Sequence, residues 1–368
     1  MINLIKSLAT SLLRSLKPAS AARGRSLSEL AFSGIVYLIS IGIGLGIGAI
    51  PVIVMGKDPV KAYWTLFHAS LGGIPQIAET LVKTIPLWLT GLGISLAFSV
   101  GFWNIGGEGQ FYLGAIAATG IGISIASLHL PQPIALFLVM AAGIIGGASW
   151  ALIPAFLKVF QGINEIIVTV MMNFIAILLS EYLILGPWRD PAAPEPMTLP
   201  IATESILPKL VPRTWLHAGL FIAIAATVVA HVIMKKTVLG YEIKCVGANP
   251  VAAKWSGIDI SRVTIYSMLL AGGLIGLAGA SEIAGIHYRL LRGISPGYGA
   301  LAIIIALLAK YEPVGVAIAS FFFAALLVGA DALQRTINMP VSAVYVIEAT
   351  ILLSTYILQN VLRRGLRA

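Results

Sequence analysis

Polar side chains able to hydrogen-bond a solute are concentrated in one short stretch between two long apolar segments. Residues 102–110 read FWNIGGEGQ and hold an amide in Asn104, a carboxylate in Glu108 and a second amide in Gln110. Glycines such as those in this stretch break a helix, and polar groups in hydrocarbon need partners in protein or water. The pattern predicts a discontinuous helix that lines a transport path. A short loop at the membrane surface is the alternative.

Other side chains extend this predicted path. Asn173 and Glu282 offer hydrogen bonds from later apolar segments, and Tyr298 offers an aromatic ring. Such a set fits a nucleoside, because ribose hydroxyls bond to amides or carboxylates and a base stacks on aromatic rings. For the two acids, Glu108 and Glu282, an interhelical structural role is the alternative. The predicted substrate pathway consists of Phe102, Trp103, Asn104, Glu108, Gln110, Asn173, Glu282 and Tyr298.

The sequence offers no pattern for metal, nucleotide or covalent chemistry. The five histidines are scattered without the paired spacing of metal ligands. A GxxxxGK[ST] phosphate loop is missing, and no Ser/His/Asp constellation has usable spacing. We therefore predict no metal, no cofactor and no enzymatic activity on this chain.

The composition predicts that most of the chain lies in lipid. Of its 368 residues, 58% are hydrophobic and only 11% are charged, whereas soluble domains are about a quarter charged. The apolar runs are long and recur to the end of the chain, unlike the short alternating strands of a β-barrel. We predict an all-α fold, a polytopic transmembrane helical bundle of about ten spans with inverted repeats and broken helices.

The apolar runs also suggest how the spans are arranged. Spans 2 to 5 and 7 to 10 share a layout: an apolar helix, a glycine-rich break, two helices, a polar turn and another helix. The two groups start on opposite sides of the membrane, so we predict inverted repeats; chance similarity among apolar helices is the alternative. Spans 8 and 9 are short. Span 8 cannot cross alone, so we expect it to be a half helix or a steeply shared span. The spans lie near residues 30–55, 77–100, 111–128, 134–157, 166–185, 216–234, 263–286, 300–309, 314–330 and 343–362.

The basic residues predict the orientation. The formal net charge of +9 is gathered in particular loops, and the positive-inside rule then favours an even number of crossings with both termini in the cytoplasm. This distribution also argues against a nucleic-acid partner. Residues 1–29 form a predicted basic amphipathic segment on the membrane, with a disordered arm as the alternative, and residues 30–368 form the transmembrane domain. The single cysteine, Cys245, fits a reducing compartment.

The second basic loop, residues 235–262, predicts a short docking helix. Asn249 is a natural helix cap, Pro250 a natural first residue, and Gly257 a natural end. The apolar side chains of this helix predict a face suited to another protein, and a helix lying against lipid headgroups is the alternative. The predicted face consists of Ala252, Ala253, Trp255 and Ile258.

Three motifs in this order resemble a known family. They are NIGGEGQ after an apolar helix, GINEIIVTVMMNFIA at span 5, and G-A-N-P-x-A-A-x-x-S-G-I in the basic loop. They are similar to permease subunits of bacterial ATP-binding-cassette importers of the branched-chain amino acid, ribose and nucleoside type. The simple-sugar or nucleoside subgroup, which works with lipoprotein receptors of the basic membrane protein family, matches best. The resemblance covers residues 30–362.

The resemblance implies an assembly in the bacterial cytoplasmic (inner) membrane. Two permease subunits, often different chains, work with ATPase subunits that bind ATP and Mg²⁺ and with an extracytoplasmic substrate-binding lipoprotein. The solute is a nucleoside or a related sugar-like molecule. An ion-gradient-driven secondary transporter with Glu108 or Glu282 as proton site is the alternative, but it has no need of the capped helix. The implied ATPase-coupling residues are Gly247, Asn249, Pro250, Ala252, Ala253, Lys254, Trp255, Gly257 and Ile258.

Overall fold

The computed structural model describes residues 42–337, together with residues 346, 349, 350, 353 and 354. The predicted amphipathic segment 1–29, the first part of span 1 and most of span 10 lie outside these residues.

The described residues form a chain of α-helices joined by turns and one long loop, which confirms the predicted all-α polytopic class. A π-helical turn, Ile283–His287, continues the tenth helix. The helices are α1 (Gly42–Val54), α2 (Pro59–Leu71), α3 (Ile74–Ser99), α4 (Gly107–Ser124), α5 (Gln132–Gln161), α6 (Glu165–Leu185), α7 (Gly219–Lys236), α8 (Val238–Ala248), α9 (Pro250–Trp255), α10 (Ile260–Glu282), α11 (Tyr298–Leu308) and α12 (Pro313–Ile337).

Seven helices in the described part of the chain are long and apolar enough to cross a membrane, or eight if the bent pair α1 and α2 is one span. The predicted half helix at span 8 is confirmed, because α11 has only 11 residues. The prediction of a short span 9 is wrong, since α12 has 25 residues. The prediction ended that span at the charged Asp331, but residues beyond it, such as Gln334 and Arg335, are good helix formers that need no hydrocarbon around them.

Glycines bring the backbones of α5 and α10 into direct contact. A Cβ atom at Gly147 would overlap the carbonyl oxygen of Gly272 and lie 2.6 Å from the Cα of Gly276. A Cβ atom at Gly276 would overlap the carbonyl oxygen of Gly143 in turn. Each helix therefore presents a G-x-x-x-G pair to the other, the arrangement by which small residues let membrane helices approach closely.

Two further helices, α4 and α3, approach α10 in the same way, and the half helix α11 packs on α3. Gly276 also meets Gly114 of α4, and a Cβ atom at Gly93 of α3 would lie 2.5 Å from the carbonyl oxygen of Ala271. The half helix α11 reaches α3 where Ile305 lies against Gly91. Small residues on α10 and its neighbours thus form the centre of the unit comprising residues 68–328.

The smaller unit comprises residues 1–67 and 329–368. Within it, the axes of α1 and α2 differ by 116° across the turn that joins them. The hydroxyl of Tyr63 donates to the carbonyl of Leu45, and the side chain of Leu66 lies against Gly329. Hydrogen bonding and close packing therefore both hold residues 59–67 of α2 within this unit.

The long loop between α6 and α7 is bonded to the chain that follows α10. Thr198 N–H donates to Leu290 O at 3.0 Å, and Ile201 N–H donates to Tyr288 O at 2.9 Å. At the loop's end, His217 is 1% exposed, and its Nδ1 accepts from Gly219 N–H at 3.1 Å. The loop is therefore a packed part of the fold, and burial lowers the pKa of His217 to about 4.

We expect Gly276→Ala to destabilise the protein by about 1–3 kcal/mol, because the new methyl group meets backbone atoms of α5 that cannot move aside. The matched control is Gly273→Ala, whose Cβ would lie 3.2 Å from the Ile144 side chain, which can adjust. Denaturant unfolding of the purified protein measures both. Equal stability of the two variants would contradict the described helix crossing.

We expect stability to fall as the pH is lowered from about 6.5 towards 4. The unfolded chain protonates His217 near its ordinary pKa, whereas the folded chain holds the imidazole neutral down to a pKa of about 4. The stabilisation is complete above 6.5, and a loss of roughly 3 kcal/mol accumulates below it. In His217→Asn, thermal unfolding should lose this part of its pH dependence between 6.5 and 4. An unchanged pH profile would assign the dependence to other groups.

Candidate functional site

The predicted break in the FWNIGGEGQ stretch begins with a glycine that ends α3. Gly101 has a φ of +83°, a left-handed conformation that favours glycine. Its N–H donates to Phe98 O at 3.1 Å, and Phe102 N–H donates to Ala97 O at 3.0 Å. These two bonds are those of a Schellman motif, which satisfies the last carbonyls of a helix. The chain is therefore free to turn before α4 starts at Gly107.

Two predicted pathway amides bond to each other inside the break. Asn104 Nδ2 donates to Gln110 Oε1 at 3.0 Å, and Gln110 Nε2 donates to Asn104 Oδ1 at 3.1 Å. Asn104 Oδ1 also accepts from Gly106 N–H at 3.0 Å. The two residues are 0% and 1% exposed. This closed amide pair holds the turn from α3 into α4.

Two side chains of α6, one helical turn apart, bond to the backbone of the same break. Asn173 Oδ1 accepts from Gly109 N–H at 2.7 Å, and Asn173 Nδ2 donates to Ile105 O at 2.9 Å. Thr169 Oγ1 accepts from Ile105 N–H at 3.3 Å. The predicted pathway residue Asn173 is thus bonded to peptide groups that no helix satisfies.

Glu108 joins the starts of two helices. It lies in the first turn of α4, and its Oε2 accepts from Gly299 N–H in the first turn of α11 at 2.7 Å. It also interacts with the hydroxyl of Ser295, whose oxygen accepts from Tyr298 N–H at 3.0 Å. Helix amino termini carry partial positive charge and favour a carboxylate. Glu108 therefore ties the predicted break to the half helix α11.

The remaining predicted pathway residues differ in exposure. Phe102, 2% exposed, packs in a core beneath α9, and Tyr298, 3% exposed, lies with its ring centroid 5.6 Å from that of Phe111. Glu282 is 6% exposed, and its Oε1 lies 3.3 Å from Nε2 of His287. Of the eight predicted pathway residues, all of them described, only Trp103 is exposed, at 48%.

Sequence analysis missed two hydroxyl residues of this site. Thr169 precedes Asn173 by four positions in an otherwise apolar segment, and that spacing on a helix would have placed both on one face. Ser295 lies two residues before the N-cap Gly297 of α11, and its Oγ accepts from the backbone N–H groups of Gly297 and Tyr298. Serine often bonds to backbone N–H groups just after it in a turn, so the order Ser-Pro-Gly was a usable turn signal.

The predicted capped helix in the basic loop is confirmed as α9. Asn249 Oδ1 accepts from Ala252 N–H at 3.1 Å, Pro250 is the first helical residue, and Gly257 has a φ of +82°. Trp255 is 88% exposed. The capped helix therefore presents an exposed indole ring at its surface.

The predicted single apolar face of α9 is wrong in part. Ala253 is 3% exposed and Ile258 packs beside it, so both face the protein core with Val246 and Met268. A helix this short must bury one side to be held in place, and the spacing alone did not show which side. The exposed members of the implied coupling set are Gly247, Asn249, Pro250, Ala252, Lys254, Trp255 and Gly257.

A cleft of about 390 Å³ lies between α9 and the end of α3. Lys158 and Glu165 line it and form an ion pair at 2.7 Å. Next to the cleft, a Cβ atom at Gly247 would overlap the carbonyl oxygen of Ser99. Backbone contact therefore links the docking helix to the helix that ends at the break. We call this end of the unit, with Lys158, Lys235 and Lys254, the basic face.

The family model for the branched-chain amino acid transport system permease component matches residues 76–355. The match includes the break between α3 and α4, the helix α9 and the helices that hold them. The chain belongs to this permease family.

Named relatives are similar to this permease over most of their length. The glucose ABC transporter permease protein TsgB13 of Haloferax volcanii is 36% identical over 84% of this chain and 83% of its own. The guanosine ABC transporter permease protein NupP of Bacillus subtilis is 33% identical over 84% and 87%. The nucleoside ABC transporter permease protein NupB of Lactococcus lactis is 33% identical over 86% and 89%.

We expect Asn104→Ala and Gln110→Ala each to destabilise the permease by about 1–3 kcal/mol, because each leaves a buried amide without its partner. In the double variant the two losses should not add, with a coupling of about 0.5–3 kcal/mol. A double-mutant cycle of thermal or denaturant unfolding measures this. Additive losses would show that the amide pair is not a unit.

Proposed function

We propose that this chain is the transmembrane permease subunit of an ATP-binding-cassette importer that takes up a nucleoside or a related sugar-like solute. Its membership of the permease family and its similarity to the guanosine, nucleoside and glucose permeases support the proposal. The main structural support is α9, a capped helix whose Ala253 side chain is buried and whose Trp255 side chain is 88% exposed.

We further propose that α9 enters a groove on a separate ATPase subunit, which binds ATP and Mg²⁺. Closure of the ATPases would push α9, and the close contact between Gly247 and the end of α3 would transmit that push to the break. The chain itself carries out no hydrolysis and acts as the transport subunit.

The other proposed partners follow from the same assembly. A second permease, a different chain, would complete the path, and an extracytoplasmic lipoprotein would deliver the solute. The proposed location is the bacterial cytoplasmic membrane, with the basic face and both termini in the cytoplasm, because Lys and Arg are enriched on the inner side of membrane proteins.

The proposed path runs along the break and α11. Its predicted members Asn104, Gln110 and Asn173 hold the backbone, so their part is to position the break. Glu108 and Trp103 are the members that we expect to meet the solute itself. When α9 moves, α4 and α11 would shift about the bond between Glu108 and Gly299.

The rival is a secondary transporter driven by an ion gradient. Proteoliposomes with the complete importer separate the two classes. The proposal expects uptake of guanosine that requires ATP and persists without an ion gradient. Uptake driven by a proton gradient in the absence of ATP would reject it.

We expect Trp255→Ala to lower ATPase association at least about tenfold, because an exposed tryptophan on a rigid helix is a typical binding hot spot. ATP-dependent uptake should fall with it while thermal unfolding stays unchanged. The matched control is Trp215→Ala, at a ring that is 55% exposed and stacked by Lys209 in the long loop. Unaltered copurification of the ATPase with Trp255→Ala would exclude α9 as the docking helix.

A further inference from the structure

The indole of Trp103 is placed differently from its neighbours in the break. Phe102 and Asn104, on either side, are 2% and 0% exposed, whereas Trp103 is 48% exposed. The break therefore presents one large aromatic side chain at its surface, between two enclosed residues.

The indole of Trp103 packs on the ring of Phe98, which in turn packs on the ring of Tyr311. The ring of Phe98 lies with its centroid 5.0 Å from that of Trp103, tilted by 49°. The ring of Tyr311 meets Phe98 edge-on at 5.9 Å and 87°. The end of α3 and the turn after α11 together form this aromatic trio, Trp103, Phe98 and Tyr311.

The turn that supplies Tyr311 has a strained backbone. Lys310 and Tyr311 are consecutive and have φ values of +54° and +64°. A left-handed conformation is unfavourable for a bulky residue and persists where the surrounding structure imposes it, often at functional sites. The next residue, Glu312, is bonded to Lys235 at 2.8 Å, which fixes the turn at the basic face.

The trio and Glu108 lie at opposite ends of α11. The first turn of α11 is bonded to Glu108 through Gly299 N–H at 2.7 Å. Its last residues lead into Tyr311, which reaches the break again through Phe98. The break therefore contacts the first turn of α11 directly, through the Glu108 carboxylate, and the turn after α11 through the ring of Phe98.

We propose that Trp103, supported by Phe98 and Tyr311, is a stacking site for the base of a nucleoside at the basic-face end of the path. The inference rests on the proposed function and narrows its solute class to nucleosides. Aromatic stacking accepts any nucleobase, because every base has a π-face. A sugar without a base needs several hydrogen-bonding groups, whereas the trio presents mainly aromatic rings.

The first test is spectroscopic and uses the assembled importer in lipid nanodiscs without the external receptor. Tryptophan fluorescence is recorded while guanosine is added, with ribose added in a parallel series. We expect saturable quenching by guanosine and none by ribose. Trp103→Phe should lose the saturable part, because the reporting indole is gone, and the matched control Trp215→Phe should keep it. Saturable quenching that survives in Trp103→Phe, or that ribose competes away, would overturn the inference.

The second test is uptake by the same importer with its receptor. Trp103→Phe keeps an aromatic face and should stay within about threefold of the wild-type rate, whereas Trp103→Leu should lose about tenfold or more of guanosine uptake. Wild-type rates in Trp103→Leu overturn the inference, as does equal loss in the Phe and Leu variants. So does a loss of uptake that accompanies dissociation of the second permease subunit, which would make Trp103 an interface residue.

The two tests separate this inference from the proposed function. Guanosine uptake that needs ATP and is insensitive to Trp103→Leu would agree with the proposed importer function and would exclude only the stacking site. ATP-dependent uptake of sugars but not of nucleosides would also exclude the proposed stacking site. Uptake that never requires ATP removes the proposed function, and the quenching experiment then decides the stacking site by itself.

Discussion

A helix can be interrupted within a membrane only if every peptide group released by the interruption finds a partner, because lipid offers none. In this permease, side-chain amides bond to the free peptide groups of the break between α3 and α4. The Asn104 side chain accepts from Gly106 N–H and is bonded to the Gln110 side chain. The Asn173 side chain donates to Ile105 O and accepts from Gly109 N–H. The break, the start of α4 and the placement of α6 are therefore one hydrogen-bonded arrangement. The function proposed for the chain depends on it, since the same stretch supplies Trp103 and Glu108.

Residue chemistry was enough to predict where this arrangement lies. Glycines and amides between apolar runs predicted the break, and Asn249, Pro250 and Gly257 predicted a capped helix, both of which the structure contains. The partners were not predictable. The sequence is equally consistent with Asn104 and Gln110 binding a solute and with their bonding to each other. The bond between Glu108 and Gly299 joins residues far apart in sequence. A single sequence carries no signal for such a pairing.

The centre of the bundle shows the same limit. The pattern G-x-x-x-G occurs at residues 143–147 and 272–276, yet glycines are frequent throughout this chain. Pattern alone predicts that a helix has a small-residue face and leaves its partner open. The structure pairs these two faces directly, with Gly276 between Gly143 and Gly147. The length of α12 was missed for a related reason, because a charged residue ends an apolar run without ending a helix.

The crossing of α5 and α10 has a mechanical consequence. Where two backbones touch without interlocking side chains, few rotamer barriers oppose a small rotation about the contact point, whereas pulling the helices apart would expose main-chain atoms and lose this close packing. Such a joint behaves as a pivot. A helix that contacts this crossing from one side, as α4 does at Gly114, can tilt about the contact while the crossing itself stays in place.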